Sequence, residues 1–207
     1  MSDQTEAVPG QAKAGQEPAR RTRADAERNR ARLLDAARAA FATGQASVPL
    51  DQVARDAGVG IGTLYRHFPT REALVEALYR KELDDLCASA AALLATRSPE
   101  GALRAWLDGF AGYVAVKREM ADALRAVFAS GAVTISQSRA RLTAAVQLIL
   151  DAGSADGTLR ADVRAEDVVA ITVGMFTATP SIEDGRDQLE RMFGLLLDAV
   201  RRPVRAE

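Results

Sequence analysis

Between Gly60 and Arg71 the sequence GIGTLYRHFPTR gathers a hydroxyl (Thr63), a phenol (Tyr65), two guanidiniums (Arg66 and Arg71) and the chain's only imidazole (His67). All of these groups can hydrogen-bond phosphate oxygens, and Gly60 and Gly62 would let the backbone come close to them. Ile61 has no polar group. It either packs against a thymine methyl or joins the core, and the sequence leaves both open. A metal at His67 is excluded by composition, since the chain offers no second His and no nearby Cys. Catalytic patterns are also missing: no glycine-rich phosphate loop follows a strand, and no nucleophile has a plausible partner base. The adjacent acids Asp84 and Asp85 read as a solvated face. No catalytic residue, metal or cofactor is therefore expected.

The elements around this stretch decide what it faces. Apolar residues recur at spacings of three and four, β-branched runs are few, and the chain reads as all-α. A first helix is expected from about Glu27 to Thr43, carrying Leu33, Ala37 and Phe41 four apart, and the TGQASVP segment ends it. A short second helix follows from Leu50 to Ala57. Gly58 suits the left-handed position just past its end, and a third helix runs from about Gly60 to Phe68. Two short helices joined by a glycine-containing turn make a helix-turn-helix, whose second helix fits the DNA major groove. Leu64 and Phe68 would anchor that helix on Leu33, Phe41 and Val53. Thr63, Arg66 and His67 then point away from the core, with Tyr65 at its edge.

At this point the residues resemble a known family. VARDAGVGIGTLYRHFPTREALVEALY, preceded by LLDAARAAFATGQ, is similar to the signature of the TetR family of transcriptional regulators over roughly Asn29 to Tyr79. The resemblance implies a homodimeric repressor. Its paired recognition helices would read an inverted repeat and let go when a small molecule binds the C-terminal domain. It also implies phosphate contacts from Tyr65 and His67, the recognition-helix threonine at Thr63, and the basic residue opening the fourth helix at Arg71. Gly60 stands where the family often has Ser, so a side-chain cap is missing there.

Charge is distributed in the same sense. Arg20 to Arg71 holds ten arginines and five acids, a local +5 in a chain of net −1. Arg20, Arg21 and Arg23 fall at the edge of residues 1–22, which lack periodicity and read as a disordered arm. Those arginines reach into a minor groove or serve as a solubilising tail. The expected organisation is an arm over 1–22, a helix-turn-helix domain over 23–70 and a six-helix effector-binding and dimerisation domain over 71–207. The N-terminus shows no signal-peptide pattern, and no apolar run approaches membrane length, which predicts a cytoplasmic protein without a membrane partner. Cys87, the single cysteine, reads as a buried thiol.

In the C-terminal part, Thr70 should cap a fourth helix to about Thr96, and Ser98 followed by Pro99 should open a fifth through Val116. The fourth helix physically connects the two domains and offers a route for an allosteric shift. A sixth helix is expected from Arg118 to Ala129, and a seventh from Thr134 to Ala152, stopped by a loop GSADGTLRADV. The eighth should begin near Asp162 and end at about Thr179, and the last at Ser181 and Asp184 in capping-box spacing. These last two helices carry more apolar surface than one core needs, which predicts a homodimer through them. Trp106, Phe110, Tyr113, Phe128, Met175 and Phe176 are candidate walls of an effector pocket, or plain core, as is Met120. The expected function is a double-stranded-DNA-binding repressor released by a small-molecule effector. A constitutive DNA-binding or protein-interaction module is the alternative.

Overall fold

A computed structural model describes residues 16–42, 48–179, 181–182 and 184–203. Nine α-helices order those residues: α1 (Gln16–Phe41), α2 (Leu50–Asp56), α3 (Ile61–His67), α4 (Arg71–Leu94), α5 (Pro99–Glu119), α6 (Ala121–Ala129), α7 (Ile135–Asp156), α8 (Ala165–Ala178) and α9 (Arg186–Val200). Among the described residues there is no strand, only one isolated antiparallel bridge between Leu159 and Arg201. The all-α expectation holds. No described helix is long and apolar enough to cross a membrane.

Local chemistry sets most of the boundaries. Thr70 and Ser98 each accept a hydrogen bond from the backbone N–H three residues on, at 3.1 and 3.2 Å, and Thr134 caps α7 in the same way. Between α2 and α3, Gly58 takes φ +65°. Val59 N–H reaches Ala54 C=O and Gly58 N–H reaches Arg55 C=O, a Schellman turn that only a residue free of Cβ strain closes cheaply. Leu33, Phe41, Val53, Leu64 and Phe68 are all buried, so α3 sits on α1 and α2 as the spacing implied.

Several boundaries differ from expectation: α5 runs on through Arg118 to Glu119, so α6 starts at Ala121, α8 starts at Ala165, and three further boundaries differ. The first helix begins at Gln16, so the last part of the expected arm has helical backbone. Glu17, Ala19, Arg20 and Arg21 are helix formers, and Pro18 lies in the first turn, where proline is tolerated. The side chains of Arg20, Arg21 and Arg23, and all of residues 1–15, lie outside the described residues.

Helix α7 runs through Gly153 and Ser154 and stops only at Gly157, with φ +77°. Gly153 is there for a packing reason: a Cβ would stand 2.4 Å from the Leu159 side chain. The chain folds back against its own helix, and Leu159 fills the space. Gly153→Ala is expected to destabilise the protein by about 1–3 kcal/mol through overpacking, read as a lower denaturant midpoint with an unchanged slope. An unchanged midpoint would mean that Leu159 moves aside at no cost.

The last helix starts at Arg186 rather than at Ser181. Ser181 Oγ does accept from Asp184 N–H at 3.2 Å, but it closes a turn before the helix.

The two halves of the chain meet mainly on α4, which packs against α1 and against α5, α6 and α7, with a smaller contact between α1 and α5. Helices α8 and α9 complete the bundle by packing on α5 and on each other, and α8 also contacts α7.

Candidate nucleic-acid interface and ligand cavity

On α3 the buried side is Leu64, with Phe68 just past the helix end, and the opposite side is open. Ile61 is 43% exposed and Tyr65 50% exposed, so Ile61 does not join the core and Tyr65 lies at its edge with half of its surface open. Arg66 lies along the same surface, its Nε donating to Gly62 C=O at 3.2 Å and its Nη2 to Thr63 Oγ1 at 3.4 Å. Thr63 and His67 are half-buried. A Cβ added at Gly60 or Gly62 would meet nothing within 4 Å, so nothing in the chain itself requires glycine there. Gly60 occupies the N-cap of α3 and makes no side-chain cap.

Arg71 stands apart from this set. Its Nη1 donates to Val48 C=O at 2.6 Å and its guanidinium lies 5.6 Å from the Phe41 ring centroid. It ties the segment before α2 to the starts of α4 and the end of α1. Arg30 similarly stacks on Phe68, at 5.3 Å. These cations clamp the small core beneath α3.

The second site is a cavity of about 520 Å³ bounded by α5, α6, α7 and α8, with Tyr79 of α4 in its wall. Phe110, Tyr113, Phe128 and Phe176 line it, as the aromatic composition suggested. Trp106 and Met175 do not. Trp106 is fully buried, with its indole N–H donating to Leu86 C=O at 3.2 Å, and Met175 points into the core as Met120 does. Both lie in the core and not in the cavity wall.

Apart from Tyr113, sequence reasoning missed the polar side of the cavity. Tyr113 OH donates to Tyr79 Oη at 2.9 Å, Tyr79 OH donates to Ser138 Oγ at 2.9 Å, and Ser138 OH donates to Thr134 C=O at 3.2 Å. Burial, and then the neighbouring Tyr79, push the Tyr113 phenol far above its ordinary range, so it stays protonated. This chain links α5, α4 and α7 across the wall. Among the described residues no group of three or more His, Cys, Asp or Glu is placed to hold a metal. Burial also pushes the half-buried Cys87 thiol up, which makes it a poor nucleophile.

Comparison with known proteins decides the family. Residues 33–78 match the bacterial regulatory proteins of the tetR family, and residues 98–202 match the SbtR-like transcriptional regulator C-terminal domain. The crystal structure of the TetR transcriptional regulator SCO0520 from Streptomyces coelicolor is 44% identical, with a TM-score of 0.76 over 84% of this chain and 99% of that one.

The chain belongs to the TetR family of transcriptional regulators.

A second TetR regulatory protein, from Mycobacterium vanbaalenii, is 33% identical with a TM-score of 0.69, over 87% of this chain and 99% of that one. Among curated relatives, the HTH-type transcriptional regulator SrpR of Pseudomonas putida is 44% identical over 61 residues. That match spans 29% of either chain. The protein is a DNA-binding transcriptional regulator and not an enzyme.

The contact between α1 and α4 contains one buried acid. Glu82 of α4 is 7% exposed, and Arg38 Nε of α1 stands 3.2 Å from its Oε1. That oxygen accepts no hydrogen bond, so the pair is held by charge alone. Desolvation raises the Glu82 carboxyl above its ordinary value of 4.5, against the opposing pull of Arg38 and Lys81.

A carboxyl whose folded value is raised takes up a proton in the folded state first. Its cost to stability is therefore fully present above the raised value and disappears as pH falls toward 4.5. Glu82→Gln keeps the shape and removes the charge. It is expected to leave stability at neutral pH unchanged or higher by up to about 1 kcal/mol, and to lose the acid-side gain. Denaturant midpoints at neutral and mildly acid pH check this. A loss of more than about 2 kcal/mol at neutral pH would mean that the attraction to Arg38 outweighs burial.

Proposed function

We propose that the protein is a homodimeric repressor that binds a pseudo-palindromic operator through paired α3 helices and is released when a small molecule fills the cavity. The observation that carries this reading is the placement of α4. The helix begins directly after the helix-turn-helix, offers Tyr79 to the cavity wall, and one turn later offers Glu82 to Arg38 of α1. A ligand that displaces Tyr79 acts on α1 through three residues of the same helix. In this reading α1–α3 form the DNA-binding part and α4–α9 the effector-binding and dimerising part. Ile61, Thr63, Tyr65, Arg66 and His67 face DNA, and Gly60 and Gly62 leave room for its backbone. Arg71 positions the motif from behind.

The dimer is drawn through α8 and α9. Ala170, Ile171, Gly174 and Ala178 are exposed on α8, and Leu195 and Ala199 on α9. A Cβ at Gly174 or Gly194 would meet open space, although glycine inside a helix costs roughly 1 kcal/mol relative to Ala. A second copy approaching closely gives both glycines a purpose.

The effector reading is tested without knowing the effector. Val173, 43% exposed at the cavity, is replaced by Trp so that the side chain itself occupies the space. Operator affinity of Val173→Trp is expected to fall by about tenfold or more if filling the cavity disfavours the DNA-bound form. Unchanged affinity with an intact fold would point to a constitutive DNA-binding protein.

A further inference from the structure

The cavity is sorted by depth. Its buried part is apolar, with Phe110, Leu124, Leu142, Val169 and Phe176 around the tyrosine pair. The hydroxyl protons there are already spent, because the Tyr113, Tyr79 and Ser138 chain ends on the Thr134 carbonyl. The floor therefore has no hydroxyl proton to offer a ligand and recognises it mainly by apolar area.

The polar groups that remain are cations, supplied by three helices. Lys117 and Arg118 come from α5, Arg125 from α6 and Arg139 from α7, and no Asp or Glu lines the cavity. Two of them are engaged: Arg118 donates to the carbonyls of Phe176 and Thr179, and Arg125 pairs with the exposed Asp122. The other two have no carboxylate partner among the described residues. Lys117 is half-buried with its ammonium 5.9 Å from the Phe128 ring centroid, and Arg139 is exposed one helical turn beyond the exposed Ile135. An aromatic floor beneath cations of one sign favours an apolar body with an anionic end and opposes a cationic one, whose charge would find no counter-ion.

We infer that the cavity takes an anionic amphiphile, with its acid group between Lys117 and Arg139 and its apolar body against Phe110, Phe128 and Phe176. The inference rests on reading this cavity as the effector site.

The test titrates the full-length protein calorimetrically with 2-naphthylacetate, 2-(2-naphthyl)ethanol and 2-(2-naphthyl)ethylammonium. These share one aromatic body and differ in the charge of the end group. The carboxylate is expected to bind about tenfold more tightly than the alcohol, with the ammonium weakest. Lys117→Gln with Arg139→Gln should bring the carboxylate down to the alcohol and change the alcohol itself by less than about twofold. Added salt should weaken the carboxylate only. Alcohol or ammonium binding as tightly as carboxylate would overturn the anionic preference and leave the cavity reading standing. Carboxylate binding that survives Val173→Trp would place the ligand elsewhere and overturn the cavity reading. Absence of heat with all three would overturn both.

Discussion

Leu195→Glu is expected to turn the dimer into a monomer and to abolish tight operator binding while leaving the protomer's helices intact. Leu195 is 71% exposed and makes no contribution to the buried core of one chain, so the substitution costs the isolated protomer little. In a twofold bundle of α8 and α9, the same change places two carboxylates in a dehydrated interface with no basic residue assigned to meet them. Burying unpaired charge typically costs several kcal/mol, enough to weaken self-association by about a hundredfold or more. Operator affinity must follow, because each protomer grips only one half-site and the second contact is no longer tethered to the first. Sedimentation, operator titration and circular dichroism on the same preparation check all three points. A variant that remains a dimer would move the interface away from Leu195.

Tyr65→Ala combined with His67→Ala is expected to cost operator affinity about three orders of magnitude. The arithmetic is that of four contacts. In the proposed dimer each side chain would reach one phosphate and be present twice, and a hydrogen bond of this kind is worth about 1 kcal/mol. Folding stability should fall by no more than about 1 kcal/mol. Tyr65 is 50% exposed, and His67 is half-buried with a tilted ring contact to Phe68. The loss should also be uniform across operator sequences, because phosphate contacts position the protein and base contacts specify the site. Titrations against the operator and a scrambled duplex at several salt concentrations separate the two. A variant that loses discrimination but not overall affinity would assign Tyr65 and His67 to bases instead.

Much of this was legible in the chain because the signals are local. Thr70, Ser98 with Pro99, Thr134 and Gly58 fix helix ends by chemistry confined to a few neighbouring residues, and each does so in the structure. The spacing of Leu33, Phe41, Leu64 and Phe68 likewise places α3 on its core. Where tertiary contacts decide, the sequence misled. Gly153 looked like a loop residue, but the return of Leu159 against α7 demands a glycine inside the helix. Trp106 and Met175 were indistinguishable by type from Phe110 and Phe176, because periodicity tells which residues are apolar and not which of two buried sides they line.

Polar cavity residues were missed for the complementary reason. Tyr79 sits in a helix otherwise read as a connector, and its partners Tyr113 and Ser138 lie 34 and 59 residues away in sequence. Lys117 and Arg139 belong to different helices, and only the packing of α5 and α7 brings both to one cavity. Glu82 is similar: in sequence it is one acid among several on α4, and only α1 makes it a buried one.

The proposed function requires that α3 read DNA as one of a symmetric pair. Selection of bound fragments from sheared genomic DNA, run in parallel with wild type and the Tyr65→Ala/His67→Ala variant, tests it most directly. The predicted result is an enriched pseudo-palindrome, with half-sites about one helical turn or a multiple apart, from wild type alone. Enrichment of a single unpaired motif, or the same enrichment with the variant, would contradict it.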